Sequence, residues 1–210
     1  MRLLDKQLRS LRIVPVVSLP SVSAGVKLAE ILVRCHLPVA EITFRTEAAC
    51  SGIAEMKNQF PELLLLAGTV LTSKQAKLAQ SAGAEGLVSP GFDSDLVAYC
   101  YDNNMPIYPG VATASEVMAA IRSGLTTLKF FPAELNGGMN MVRSLLSVFR
   151  NISLMPTGGI TPGNVLSYLS HERVICCGGT WLAPESMMED NKWETIESRI
   201  QDALKLLNEK

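Results

Sequence analysis

Val39-Ala40-Glu41-Ile42-Thr43-Phe44-Arg45 is a largely apolar run in which polar groups fall at every second position. Side chains of a strand alternate between its two faces, so Glu41, Thr43 and Arg45 share one face and Ile42 and Phe44 the other. A helical pattern follows to about Gln59, and the same beat then recurs. Leu63 to Val70 is a strand followed by a helix from Ser73 to Ala82. Gly86 to Pro90 precedes a helix from Asp93 to Asn103, and Pro106 to Gly110 precedes one from Ala114 to Ser123. Toward the amino end lie a short amphipathic helix over residues 3–11, a strand from Ile13 to Leu19, and a helix capped by Ser23 and running to about Cys35. Toward the carboxyl end, a strand from Thr127 to Phe131 leads to a helix from Met139 to Phe149. Ser153 to Thr157 leads to a helix with Pro162 in its first turn. Val174 to Leu182 is the last strand, and Trp193 to Asn208 is a closing helix.

Each strand reads as a near-continuous apolar run, as burial on both faces of a parallel sheet requires. About eight strand–helix units imply an α/β fold of the (β/α)8, or TIM, barrel type, preceded by a short N-terminal helix. An open doubly wound sheet is the alternative, but no G-x-G-x-x-G follows the first strand. No linker-like stretch divides the 210 residues, so residues 1–210 read as a single barrel domain.

With 48% hydrophobic and 19% charged residues the chain can build a large core, which excludes a disordered class. A net charge of −1 without a basic run argues against nucleic acid or an acidic membrane surface as partner. Charges at Arg2, Asp5, Lys6, Arg9 and Arg12 interrupt any signal-peptide region, and no apolar run reaches transmembrane length. The expected location is the cytoplasm. Five cysteines without C-x-x-C spacing read as buried thiols. The two histidines, His36 and His171, are too few for a histidine-rich zinc site. No G-x-S-x-G elbow supports a serine triad.

In such barrels the chemistry lies at the C-terminal ends of the strands. Thr127-Leu128-Lys129-Phe130-Phe131-Pro132-Ala133-Glu134 places a lysine inside an apolar strand. Desolvation disfavours an ammonium, so a buried lysine is a usable amine nucleophile for Schiff-base chemistry on a carbonyl. The structural alternative is a barrel-end lysine paired with a carboxylate such as Glu134 and reaching water along its stem. Glu41 on an inward face is suited to moving protons, and Arg45 to gripping a carboxylate by two hydrogen bonds. A structural Glu–Arg or Glu–Lys pair is the competing reading. Thr69 adds a hydroxyl at the same rim. Thr157-Gly158-Gly159-Ile160 and Gly178-Gly179-Thr180-Trp181 end the last two strands. Paired glycines there expose N–H groups to a phosphate, although tight turns also need glycine. Together these residues describe a lyase acting on a phosphorylated 2-keto acid. The Schiff base is the electron sink, so the chemistry calls for no cofactor and no metal.

The segments Glu41-Ile42-Thr43-Phe44-Arg45-Thr46-Glu47, Ala67-Gly68-Thr69-Val70-Leu71, Ser89-Pro90-Gly91, Lys129 to Glu134, Pro156-Thr157-Gly158-Gly159-Ile160 and Gly178-Gly179-Thr180-Trp181-Leu182 resemble those of the 2-keto-3-deoxy-6-phosphogluconate (KDPG) and 4-hydroxy-2-oxoglutarate aldolase family. They occur in order over nearly the whole chain. The resemblance implies a class I aldolase with Lys129 as the Schiff-base lysine and Glu41 as general acid and base working through a water. It implies that Arg45, Thr69 and Thr157 hold the pyruvyl carboxylate and its surroundings, that Pro90 and Phe131 shape the pocket, and that Gly158, Gly159, Gly179 and Thr180 bind phosphate. It further implies a homotrimer that makes pyruvate and D-glyceraldehyde 3-phosphate, with some cleavage of 4-hydroxy-2-oxoglutarate to pyruvate and glyoxylate. Thr180 departs from the family's usual serine. Its hydroxyl survives, and its methyl would reshape the phosphate site. The aldolase for the galactonate-derived epimer resembles the chain less, since it lacks Arg-Thr-Glu after its glutamate. A phosphate-binding barrel isomerase or synthase, or a non-catalytic phosphosugar-binding barrel, would share the Thr-Gly-Gly ending but would have less use for Lys129.

Overall fold

Helices and strands alternate along the chain in a computed structural model that describes residues 3–208. Helix α1 (Leu3–Leu11) leads to β1 (Ile13–Val17), α2 (Val22–Arg34), β2 (Val39–Thr43), α3 (Ala48–Gln59) and β3 (Leu64–Gly68). Then come α4 (Ser73–Ser81), β4 (Gly86–Val88), α5 (Ser94–Asp102), β5 (Ile107–Tyr108), β6 (Gly110–Val111), α6 (Ala114–Arg122) and β7 (Thr127–Phe130). The chain ends with α7 (Gly138–Val148), β8 (Ser153–Pro156), α8 (Val165–Leu169), β9 (Cys177–Gly179), α9 (Glu185–Glu189) and α10 (Trp193–Asn208).

Short polar side chains set the helix starts by accepting from N–H groups of the first turn. Leu96 N–H donates to the Asp93 carboxylate (2.7 Å), and Thr113 with Glu116 forms a reciprocal capping box on α6. Ser21, rather than the expected Ser23, caps α2, taking a bond from Ala24 N–H (3.1 Å). Its backbone is extended, whereas Ser23 already lies inside the helix. Pro162 lies ahead of α8 rather than in its first turn, at the start of a turn closed by Val165 N–H on the Thr161 carbonyl (3.0 Å).

Every strand pairing is parallel. One curled sheet has six strands in the order β5-β4-β3-β2-β1-β9, and a second has three in the order β6-β7-β8. This is an α/β fold related to the TIM barrel, but its regular pairing is not fully closed as the sequence led us to expect. The strand predicted over Pro106–Gly110 divides at Pro109, which has no N–H to donate. Tyr108 offers its carbonyl to Ser89 in one sheet (3.4 Å), and Pro109 offers its own to Lys129 in the other (2.9 Å). The last strand is also shorter than predicted. Val174 makes only an isolated bridge to Leu154, and Thr180–Leu182 is a 3-10 turn.

The strands are buried throughout, apart from partly exposed Ser153 at the start of β8, and one apolar cluster fills the space between them and the helices. Helix α1 covers the amino-terminal ends of the strands. Leu4 packs beside Gly86, where a Cβ would lie 2.8 Å from its Cδ2, and Leu8 is fully buried. Between them Asp5, 3% exposed, accepts hydrogen bonds from the Tyr108 hydroxyl (2.8 Å) and the Thr127 hydroxyl (3.3 Å). The far end of the chain is tied to the same region, since Arg12 donates to the Leu207 carbonyl (2.6 Å).

All five cysteines are free thiols. Burial pushes the Cys176 and Cys177 thiols well up, so they pack as neutral groups. Cys50 is only half-buried, against the expectation of buried thiols throughout. Among the described residues no helix is long and apolar enough to cross a membrane.

Candidate active site

The pairing registers bring an acid and a base face to face. Glu41 on β2 is level with Val16 on β1 and Leu66 on β3; Lys129 on β7 is level with Gly110 on β6 and Met155 on β8. Period-two alternation turns both side chains inward, and Lys129 Nζ donates to Glu41 Oε1 at 3.0 Å. Lys129 is 5% exposed and Glu41 2%, so each ion has traded water for the other. The ammonium also lies 5.2 Å from the centre of the Phe131 ring, within the range of a cation–π contact. Glu134, the structural partner considered for Lys129, is engaged elsewhere: its carboxylate accepts from the Tyr168 hydroxyl.

Room for the Glu41 carboxylate comes from Gly68 on the neighbouring strand. A Cβ there would collide with the carboxylate, approaching its Cδ to 2.9 Å and its Cγ to 2.7 Å. The next residue, Thr69, has φ +56°, a left-handed conformation that is costly for a β-branched side chain. Flanking bonds over-determine it: Phe44 N–H donates to Gly68 O (2.8 Å) and Val70 N–H to Val88 O (3.2 Å). The strain aims the Thr69 side chain at the cavity above the ion pair.

That cavity, about 120 Å³, collects Glu41, Arg45, Thr69, Pro90, Lys129, Phe131, Thr157, Gly158, Gly159 and Thr180. Of the candidates from sequence only Gly179 is missing from its wall. Gly179 instead leaves space for the Trp181 indole, since a Cβ on it would sit 2.7 Å from Trp181 Nε1. Its neighbour Gly178 faces the cavity, where a Cβ would collide with the Thr157 hydroxyl. Sequence reading also passed over Val16, Ile160 and the role of Thr43. The Thr43 hydroxyl donates to the Val17 carbonyl (3.0 Å) and so accepts from Ser18 Oγ (2.9 Å), fixing the mouth of β1 against β2. Inward alternation in Val14-Pro15-Val16 was the available signal for Val16.

The two sides of the cavity differ in charge. Arg45 is exposed at the rim, and among the described residues no carboxylate forms an ion pair with it. Opposite lie Gly158 and Gly159, with φ +98° and +77°, beside the hydroxyls of Thr157 and Thr180. A buried amine beside a proton acceptor, an unpaired guanidinium and a hydroxyl-and-glycine rim can together hold an anionic carbonyl compound and form an imine with it.

The sequence model described as "Aldolase: KDPG and KHG aldolase" matches residues 4–199. The chain is 39% identical over 202 residues to the 2-dehydro-3-deoxy-phosphogluconate aldolase of Haemophilus influenzae, covering 96% of this chain and 95% of that one. Among solved structures it is similar to the 2-keto-3-deoxy-6-phosphogluconate aldolase of Zymomonas mobilis ZM4 with 3-phosphoglycerate, at 37% identity and a TM-score of 0.90, over 97% of this chain and 95% of that one. It is equally close in fold, at 32% identity and a TM-score of 0.90, to the KDPG aldolase of Legionella pneumophila with pyruvate captured as a covalent carbinolamine intermediate. That match covers 95% of this chain and 97% of that one.

Proposed function

Because the chain belongs to the KDPG and KHG aldolase family, whose members break a carbon–carbon bond through a lysine Schiff base, we propose that its substrate is 2-keto-3-deoxy-6-phosphogluconate, cleaved to pyruvate and D-glyceraldehyde 3-phosphate. The observation that carries this reading is the buried Lys129–Glu41 pair at 3.0 Å beneath a rim holding Arg45 on one side and Gly158, Gly159 and Thr180 on the other.

In the proposed reaction Glu41 takes a proton from Lys129, and the free amine adds to the C2 carbonyl to give a carbinolamine. Glu41 returns the proton as water leaves, and an imine forms. Loss of the C4 hydroxyl proton, to Glu41 directly or through water, then breaks the C3–C4 bond. The bonding pair moves into the imine as an enamine, and the aldehyde departs. Protonation at C3 and addition of water release pyruvate and restore Lys129. Arg45 with Thr69 and Thr157 holds the keto-acid end, Pro90 and Phe131 wall the reacting carbons, and Gly158, Gly159 and Thr180 receive the phosphate. Cleavage of 4-hydroxy-2-oxoglutarate to pyruvate and glyoxylate needs only the keto-acid half of this site and belongs to the same reading.

Borohydride reduction in the presence of pyruvate, followed by intact mass and peptide mapping, tests it. A reduced pyruvyl adduct on Lys129 is expected, and a folded, pyruvate-saturated protein without one would overturn the imine. Arg45→Ala is expected to raise KM for pyruvate in the condensation direction by roughly 10- to 100-fold with little change in kcat, the loss of a charged hydrogen-bonding partner. An unchanged KM would remove Arg45 from carboxylate binding.

The reading takes residues 1–210 as one cytoplasmic (β/α)8 domain. Its support is that β5 and β6 are halves of one strand broken at Pro109, while bridges from Leu154 to Val174 and from Thr157 to Gly178 run between β8 and the last strand segment. The reading also expects a homotrimer, and Leu135 and Leu71, 88% and 57% exposed after the ends of β7 and β3, offer apolar surface for it. Light scattering of the purified chain should give three times the 22.7 kDa chain mass; a monomer mass would overturn this part.

A further inference from the structure

We infer that Tyr168, acting through Glu134, is a positioning residue for the Gly158-Gly159 loop and so sets how tightly the substrate's phosphate is held; this rests on reading that loop as the phosphate site. Two successive left-handed glycines have no side chains with which to brace themselves. Their bracing comes from both sides. Ala133 N–H donates to Thr157 O (2.8 Å) and Glu134 N–H to Gly158 O (3.1 Å), which fastens the loop to the segment that follows Lys129. The Glu134 methylenes lie directly on Gly159, where a Cβ would fall 2.6 Å from both Glu134 Cβ and Cγ. From the other side Asn164 Nδ2 donates to the Gly159 carbonyl (2.9 Å).

Glu134 is an exposed residue, and a free carboxylate there would sample many rotamers. The Tyr168 hydroxyl removes that freedom. Tyr168 projects from α8, is 1% exposed, and donates to Glu134 Oε1. Burial, and then the Glu134 carboxylate, push the phenol up, so it remains a donor at every pH at which the chain would work. Gly138, with φ +59°, lets the start of α7 approach this pair: a Cβ there would lie 3.3 Å from both Glu134 Oε1 and the Tyr168 oxygen. The positive end of that helix favours the carboxylate where it is. The arrangement also holds a negative charge away from the space in which a phosphate would sit, so releasing it would weaken phosphate binding by repulsion as well as by loosening the loop.

The test compares KM and kcat for 2-keto-3-deoxy-6-phosphogluconate with those for 4-hydroxy-2-oxoglutarate, which has no phosphate, using inorganic phosphate as competitor. Tyr168→Phe keeps the ring and removes only the hydroxyl. It is expected to raise KM for the phosphorylated substrate roughly tenfold, the size of one hydrogen bond to a charged group, and to weaken inhibition by phosphate to match. KM for 4-hydroxy-2-oxoglutarate and both kcat values should stay within about twofold. Glu134→Ala, which removes the acceptor and the methylenes on Gly159 but also the charge, should raise KM for the phosphorylated substrate through loosening of the loop alone, again sparing 4-hydroxy-2-oxoglutarate. If both KM values rise together, or neither moves while the unaltered chain still prefers the phosphorylated substrate, Tyr168 is merely structural and the inference is overturned. If the unaltered chain shows no such preference and phosphate does not compete, the phosphate reading of the loop fails and takes this inference with it.

Discussion

Lys129→Met is expected to reduce aldol cleavage to the uncatalysed background while leaving a folded chain. Methionine matches the length of the lysine stem and fills the same space, so the loss would report on the amine alone. Without the amine no imine forms, and the C3–C4 bond has no electron sink. The proximity and covalent activation that the site provides are lost together. The substitution also leaves the Glu41 carboxylate buried without its cation, which costs about 3–5 kcal/mol if it stays charged. Circular dichroism and a thermal melt should therefore accompany the assay and show native secondary structure at a lowered Tm. The borohydride adduct should vanish in parallel. Lyase activity that survives in the methionine variant would remove the Schiff base from the mechanism.

Glu41→Gln should be the next most damaging change, lowering kcat by about 10²- to 10⁴-fold, the usual worth of a positioned acid–base group. Glutamine preserves the shape beside Gly68 and can still accept from Lys129 through its amide oxygen, so packing and substrate entry are kept. What it cannot do is take up and return protons during carbinolamine formation, dehydration and C–C cleavage. The imine should still form with pyruvate, but slowly, so single-turnover trapping separates this variant from Lys129→Met. A kcat within a few-fold of the unaltered chain would make the pair a structural ion pair.

The lysine strand and the second strand could be read because two independent periods agree there: alternation places Glu41 and Lys129 inward, and the repeat of strand and helix places both in one barrel. What escaped depended on partners distant in sequence or on backbone angles. Asp5 finds its partners 103 and 122 residues away, and Tyr168 reaches Glu134 across 34, separations that no local pattern announces. Ser21 and Ser23 are equivalent as letters, and only the extended backbone at 21 decides which one caps. The Gly-Gly pair before Thr180 was legible as a close-approach site, but which glycine faces the cavity depends on strand phase. Gly178 makes room for Thr157 and Gly179 for an indole. Pro106 to Gly110 read as one strand, and only the pairing shows Tyr108 and Pro109 each offering a carbonyl to a different sheet.

The buried carboxylate of Asp5 has a consequence for the order in which the chain is made. Helix α1 is the first described element to leave the ribosome, but the hydroxyls that fix its acid belong to Tyr108 and Thr127, so the helix cannot be seated until synthesis has passed Thr127. Until then Leu4 and Leu8 travel as an unburied apolar stripe. The tie from Arg12 to Leu207 is delayed further, to the last turn of α10. Contacts of such long sequence separation form slowly, and their unsatisfied surfaces are where nascent chains associate wrongly. The amino-terminal helix, a minor appendage to the site, thus waits for residues more than a hundred positions away before its acid is satisfied.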